Sequence, residues 1–288
     1  MGKTVSDGRS AGFASVSVPD GYVRYMLPQV FEPWAADMVS RVGLRPGQSV
    51  LDVASGLDPV ARLAASAVGP TGRVVACDIS AAMLAAAAAR PVETGSAPIE
   101  YLECSASELD VADSTFDVVL CQQGLQFFPD RVAAVAEMAR AVRPDGLVAV
   151  STWAAEHPLG LFGPMCETMA RSGIEEPYRG AYDPASYSIS APDLIDLLEE
   201  AGLRDARVEV ATVDSVWSSV DDAVSALLGT PFGPLVSRLP PDRQHGVRAT
   251  LAGHLQPSGQ GTVTVRTVSN TALSPQVGPE RGSSSLIW

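Results

Sequence analysis

The stretch Ser49-Val50-Leu51-Asp52-Val53-Ala54-Ser55-Gly56-Leu57-Asp58-Pro59 sets an acid, three small residues and a second acid side by side. Val50, Leu51 and Val53 make the apolar run of a parallel strand covered on both faces. Ala54, Ser55 and Gly56 leave the backbone open to close approach by a ligand. Asp58 and Pro59 suit the start of a helix. Strand, small-residue turn and helix together form the nucleotide-binding corner of an open α/β sheet. A dinucleotide site has G-x-G-x-x-G there; this turn has one glycine, and Asp58 at the helix start would repel a pyrophosphate. Lys3 is the only lysine, which removes a P-loop. Acids at the strand end suit a ligand with a positive group, such as an amino acid ammonium.

A third acid, Asp78, ends a second buried strand, Gly72 to Asp78. Its distance from the first turn is the one at which such folds place a carboxylate on ribose hydroxyls. Two vicinal hydroxyls can donate to two carboxylate oxygens. Capping the next helix is the other role open to Asp78, although Ser80 can do that. With the ribose on Asp78, Ile79 and Met83 flank an adenine ring. Gln122 and Gln123 end the fourth strand, where one can orient a substrate or meet the ligand's amino acid end. His157 follows the fifth strand on the same side of the sheet, which makes it the candidate general base; an ordinary loop histidine is the alternative. His245 and His254 read as surface residues. Tyr178, Tyr182 and Tyr187 lie in a loop that can line an acceptor pocket.

Val50 to Gly56 resembles motif I of class I S-adenosylmethionine-dependent methyltransferases. Phe116-Asp117-Val118-Val119-Leu120-Cys121-Gln122-Gln123-Gly124-Leu125-Gln126-Phe127-Phe128-Pro129-Asp130 is similar to the fourth-strand segment of a small-molecule branch of that family, type 11 or UbiE-like. The likeness runs from about Tyr22 to Ala272, in the family's order of elements. It implies S-adenosyl-L-methionine as cofactor, held by Tyr25, Asp52, Ala54, Gly56, Asp78, Ile79, Met83, Ser105, Ala106, Cys121 and Gln122. It places Tyr25 on a leading helix that covers the cofactor, although core packing would explain Tyr25 equally well. It implies methyl transfer to a small-molecule acceptor, with O, N and C all open. Two positions depart from the family pattern. Asp58 stands where a last glycine is usual, either touching the cofactor ammonium or capping the helix. Ser105 stands where an acid reads the adenine amino group. These departures admit a same-fold enzyme with other chemistry, such as a cyclase or isomerase, or a partner that has lost the cofactor.

The elements that must position these residues alternate strand and helix, which gives a parallel sheet with right-handed crossovers. The expected fold is α/β: a Rossmann-like, seven-stranded methyltransferase sheet with helices on both faces and a helical lid insertion. Tyr22 to Val42 leads as a helix. Strands follow at Ile99 to Glu103, Thr115 to Cys121, Leu147 to Trp153, Arg204 to Val213 and Gly261 to Ala272. Pro144-Asp145-Gly146 reads as a turn. The expected organisation is a flexible segment at 1–20, one domain at 21–272 with the lid at 216–257, and a tail at 273–288.

Composition narrows the function. The chain has 288 residues, 46% hydrophobic and 18% charged, enough for a core and too little charge for disorder. A net charge of −13 argues against a nucleic-acid surface. Cys77, Cys104, Cys121 and Cys166 form no C-x-x-C pair, so a zinc site is not expected. No apolar run would span a bilayer and no secretory signal is visible. The expected partner is a small-molecule acceptor, in the cytoplasm, without nucleic acid or membrane, and with a monomer or a homodimer both open.

Overall fold

The computed structural model describes residues 21–175, 182–230, 232–257 and 261–276. Short runs of Val, Leu, Ile and Ala form five parallel strands: β1 (Ser49–Val53), β2 (Arg73–Asp78), β3 (Ile99–Glu103), β4 (Phe116–Gln122) and β5 (Val142–Ala154). Helices α1 (Glu32–Val42), α2 (Pro59–Val68), α3 (Ala81–Ala88) and α4 (Arg131–Ala141) accompany them. Beyond β5 come α5 (Phe162–Arg171), the two-residue strand β6 (Ser188–Ile189) and α6 (Ala191–Glu200). Two long strands, β7 (Arg207–Trp217) and β8 (Val263–Pro275), flank α7 (Val220–Leu228), α8 (Gly233–Ser237) and α9 (Pro241–His254).

The sheet runs β3-β2-β1-β4-β5-β8-β7, with β8 antiparallel to both neighbours. These are the seven strands expected from the sequence. β6, in a stretch that reads as loop, is an eighth that pairs with the end of β5. β1 lies between β2 and β4, so strand order reverses at its C-terminal end. Ligand crevices open at such a point.

Three cores hold the layers. Ala35, Met38, Val60, Ala64 and Val68 cover one face of the parallel strands. Val135, Met138, Leu194 and Leu198 cover the other. A third core of Met26, Trp34, Trp153, Met165, Trp217 and Leu251 lies beneath α5 and the helices between β7 and β8. Trp34 enters it with its indole satisfied: Nε1 donates to Thr267 Oγ1 at 3.0 Å.

Several boundaries differ from expectation. β7 continues to Trp217, because Ser215 and Trp217 face the core and the β-branched alternation carries on. The helical part of the insertion therefore starts at Val220, inside the expected 216–257. β8 reaches Pro275, and Gln276 exchanges backbone hydrogen bonds with Asp145 and Gly146 at 2.8 and 2.9 Å, so the expected tail surrenders its first residues. The Pro144–Gly146 turn is a bulge inside β5, with Asp145 at φ 65°; Phe116 pairs with Val142 but Val118 with Leu147. Residues 1–20 and 277–288, and with them the expected flexible segment and most of the tail, lie outside the described residues, as does Tyr178.

The leading helix has two parts. Tyr22–Phe31 is a wide-turned π-helix containing Pro28, and α1 continues from it. A Cβ on Gly229 would sit 2.4 Å from the Tyr22 nitrogen, so this helix starts directly against the end of α7.

Asp58 clamps the corner from behind. It is fully buried, with φ 57°. Its carboxylate accepts from Arg62 Nε at 2.7 Å, Arg90 Nη1 at 3.2 Å and the Tyr101 hydroxyl at 2.5 Å. Arg62 also donates to the Ala87, Arg90 and Pro91 carbonyls, and Arg90 to that of Leu57. One acid thus ties the start of α2 to the end of α3 and to β3. Asp58→Ala would leave two guanidinium groups without their shared partner. Urea unfolding should show a loss of about 3 kcal/mol, as for breaking a buried ion pair; a loss below about 1 kcal/mol would show that the cluster behaves as a surface pair.

Candidate active site

The turn after β1 is strained. Ala54, Gly56 and Asp58 have φ of 58°, 55° and 57°, a left-handed region that costs a non-glycine residue about 1–3 kcal/mol. Hydrogen bonds to the end of β2 hold it there. Ser55 N donates to the Cys77 carbonyl at 2.9 Å, and Gly56 N to Asp78 Oδ2 at 2.8 Å. Asp78 Oδ1 accepts from Ser80 N at 2.9 Å. Ser80 itself caps α3, accepting from Met83 N, so the capping role does not fall to Asp78. Asp52 reaches forward, and its Oδ2 accepts from Ala61 N in the first turn of α2 at 3.0 Å.

Across the crevice, β4 ends in Gln122, Gln123 and Gly124. Gln122 Nε2 donates to the Phe31 carbonyl at 3.1 Å and fixes the end of the π-helix. Gln123, at φ 52°, donates from Nε2 to Ser269 Oγ at 3.0 Å. Both glutamine Oε1 atoms are buried without a partner. Gly124 is required by packing: a Cβ there would lie 2.8 Å from the Ala54 Cβ and 3.1 Å from the Cys121 sulfur.

A cavity of about 590 Å³ opens between these two edges, well within the size range of small-molecule sites. Asp52, Ala54, Gly56, Asp78, Ile79, Met83, Ser105, Ala106 and Gln122 all line it. It continues into an aromatic chamber walled by Phe127, Trp153, Phe162, Tyr187 and Phe232. The chamber rings brace one another. Phe162 stacks on Tyr187 at 6.4 Å and 7°, Phe127 meets Tyr187 edge-on at 5.6 Å, and Trp153 meets Phe162 at 5.7 Å.

Three expected site residues lie elsewhere. Tyr25 does not line the cavity; its ring sits under the Arg24 guanidinium at 5.3 Å, and Tyr22 takes the inward place. Hydrogen bonds that skip five residues bring Tyr22, Met26 and Phe31 to the face that lines the cavity, in place of the Tyr25 that the resemblance put there. Cys121 is fully buried behind Gly124 and makes no wall. His157 is exposed in the turn after β5 and borders a separate recess with Arg131 and Asp193. Asp58 meets neither of its expected roles, because its oxygens face Arg62, Arg90 and Tyr101. Tyr182 packs on Phe232 outside the lining. Phe127 stood within the quoted fourth-strand segment, whereas nothing in the sequence marked Phe232 or Arg238.

Burial shapes the site's acids. It pushes the Asp52 and Asp78 carboxyls up, against the hydrogen bonds from Ala61 and from Ser80 and Gly56. It raises the Tyr22 hydroxyl too, with the Asp78 charge adding to the effect. Cys77 and Cys104 share a hydrogen bond, which lowers the Cys104 thiol to about 7 and pushes Cys77 well up.

Residues 22–158 match the ubiE/COQ5 methyltransferase family. An uncharacterised protein of Mycobacterium tuberculosis is 35% identical over 154 residues, covering 54% of this chain and 52% of its own. The ubiquinone/menaquinone biosynthesis C-methyltransferase UbiE of Burkholderia mallei is 32% identical over 156 residues, covering 54% and 56%. Residues 22–158 of the chain are thus similar to S-adenosylmethionine-dependent methyltransferases of the ubiE/COQ5 kind. The chain spans about half the length of the curated relatives it matches. In fold, the chain resembles the YcgJ protein of Bacillus subtilis, with TM-score 0.56 and 17% identity over 85% of this chain and 98% of the other. It also resembles the [4+2]-cyclase SpnF, with TM-score 0.53 and 18% identity over 94% and 91%.

The cofactor of that family is S-adenosyl-L-methionine, and three features of this crevice fit it. A Cβ at Gly56 would meet nothing within 4 Å, so the backbone borders open space. Each Asp78 oxygen spends one lone pair on a backbone amide and keeps another for a ribose hydroxyl. The orphan Gln122 Oε1 calls for a donor such as an ammonium. Among the described residues no helix is long and apolar enough to cross a membrane.

Cys104 gives a pH test. The thiolate is the reactive form, so iodoacetamide should label Cys104 at a rate that rises as pH passes upward through about 7. Cys121 and Cys166, raised by burial to about 12, should label only on unfolding. Peptide mass mapping reads the sites; a Cys104 rate with its midpoint near the ordinary thiol value of 9.0 would refute the lowering.

Proposed function

We propose that the chain is a methyltransferase that alkylates a small, planar, largely apolar acceptor, with carbon as the preferred nucleophile. One observation carries the reading: a single cavity joins the crevice between β1 and β4 to the braced aromatic chamber. When bound, the cofactor supplies an electrophilic methyl on a sulfonium. Asp78 holds the ribose, Ile79 and Met83 flank the adenine, and Ser105 and Ala106 meet its edge with a neutral contact in place of a charged one. Gln122 takes the ammonium.

The chamber walls then align the acceptor and exclude water, which is most of what an in-line displacement asks of a protein. Among the described residues of the chamber there is no histidine or carboxylate. The acceptor must bring its own nucleophile, as an electron-rich ring carbon or enol does. The C-methylation named for the Burkholderia relative supports that choice. The rival of a same-fold enzyme with other chemistry loses one of its two motives, since Asp58 never reaches the cavity.

Calorimetry tests the reading. S-adenosylhomocysteine should bind the wild type, and Asp78→Ala should weaken it about 100-fold, the loss of two hydrogen bonds to a charged acceptor. Asp78→Asn should fall between them, which separates ligand contact from collapse of the turn. Unaltered affinity in Asp78→Ala, or no binding by the wild type, would reject this function.

A further inference from the structure

The charged residues that line the cavity are few and unevenly placed. Asp52 and Asp78 stand at the cofactor end. Arg238 stands alone at the other end and is the one basic residue in the lining. It is exposed to solvent, and among the described residues it has no acidic partner or hydrogen bond. Arg45, Arg204 and Arg207 are likewise unpaired among the described residues, but they do not line the cavity. Acids outnumber bases by 33 to 20, and Arg41, Arg62, Arg73, Arg90, Arg140 and Arg266 all pair with carboxylates.

The backbone that presents Arg238 is well anchored. Phe232, just before α8, and Val236 within it are both buried, and a Cβ on Gly233 would strike the Leu228 carbonyl oxygen at 1.9 Å. Leu235 and Arg238, three residues apart, share a face and both line the cavity. The guanidinium therefore borders an apolar, aromatic wall. It presents an unused planar fork suited to a carboxylate.

We propose that the acceptor is a planar aromatic acid whose carboxylate is held by Arg238. This rests on the function proposed above and adds the chemical class of its acceptor. The charge layout also sets direction. Arg238 attracts the anion and, among the described residues, no other basic side chain lines the cavity, so the acid group stays beside Arg238 and the ring points its far edge toward the sulfonium. Arg238 is a specificity residue in this scheme and takes no part in the bond changes.

The test uses a matched pair of unreactive probes, 2-naphthoate and 2-naphthamide. Each is titrated by calorimetry into the full chain saturated with S-adenosylhomocysteine. The naphthoate should bind about tenfold tighter than the amide, as one charge-assisted contact gives, and added salt should erode only that advantage. Arg238→Met should bring the two probes level, and Arg238→Lys should restore part of the preference. Equal affinities in the wild type, a preference that survives Arg238→Met, or no binding of either probe at millimolar concentration would overturn the proposal. Binding of S-adenosylhomocysteine is measured first. If it fails, the function itself is at fault; if it holds while the acid preference is absent, only the acceptor class is.

Discussion

The hydrogen bond from Gly56 N to Asp78 Oδ2 joins the ends of β1 and β2 beside the point, between β1 and β4, where the order of the parallel strands reverses. The turn from Ala54 to Asp58 has three left-handed residues, two of them not glycine, and would relax without that anchor. The carboxylate is itself costly, because burial raises its pKa, and only the amides of Gly56, Ile79 and Ser80 offset the loss of water. A buried acid that accepts from backbone amides and has lone pairs to spare is prepared for hydroxyl donors. Strain at the turn and desolvation at the acid are therefore parts of one arrangement.

Everything around that bond keeps the crevice narrow and in register. Asp58 braces it from behind through Arg62, Arg90 and Tyr101. Gly124 lets the end of β4 touch the turn, and Gln122 ties β4 to the end of the π-helix. That helix in turn starts against α7, so the cofactor crevice and the helices between β7 and β8 share one mechanical frame. We propose these inserted helices as the lid over the acceptor, since Phe232, Leu235 and Arg238 reach the cavity from them.

The parallel half of the fold was readable because its signals are local. A buried apolar run followed by small residues and an acid says strand and crevice, and Asp52, Ala54, Gly56, Asp78, Ile79 and Met83 all face the cavity. What escaped the sequence depends on winding or on distant contacts. Tyr22 takes the place that the resemblance gave to Tyr25, in a helix whose wide winding no sequence pattern here announced. Asp58 looked like a cap or a ligand group because its true partners, Arg62, Arg90 and Tyr101, lie on three different elements. His157 follows the right strand, but the chain turns outward after Ala154 and exposes it. The aromatic chamber draws on residues from Phe127 to Phe232, and no short motif encodes a wall assembled that way.

The most direct test is a crystal structure of the chain with S-adenosylhomocysteine. The account predicts the two ribose hydroxyls on the Asp78 carboxylate, with the Gly56 amide still bound to it, and the homocysteine sulfur facing the aromatic chamber. Density for the ligand away from Gly56 and Asp78, or a ribose that leaves Asp78 untouched, would contradict it.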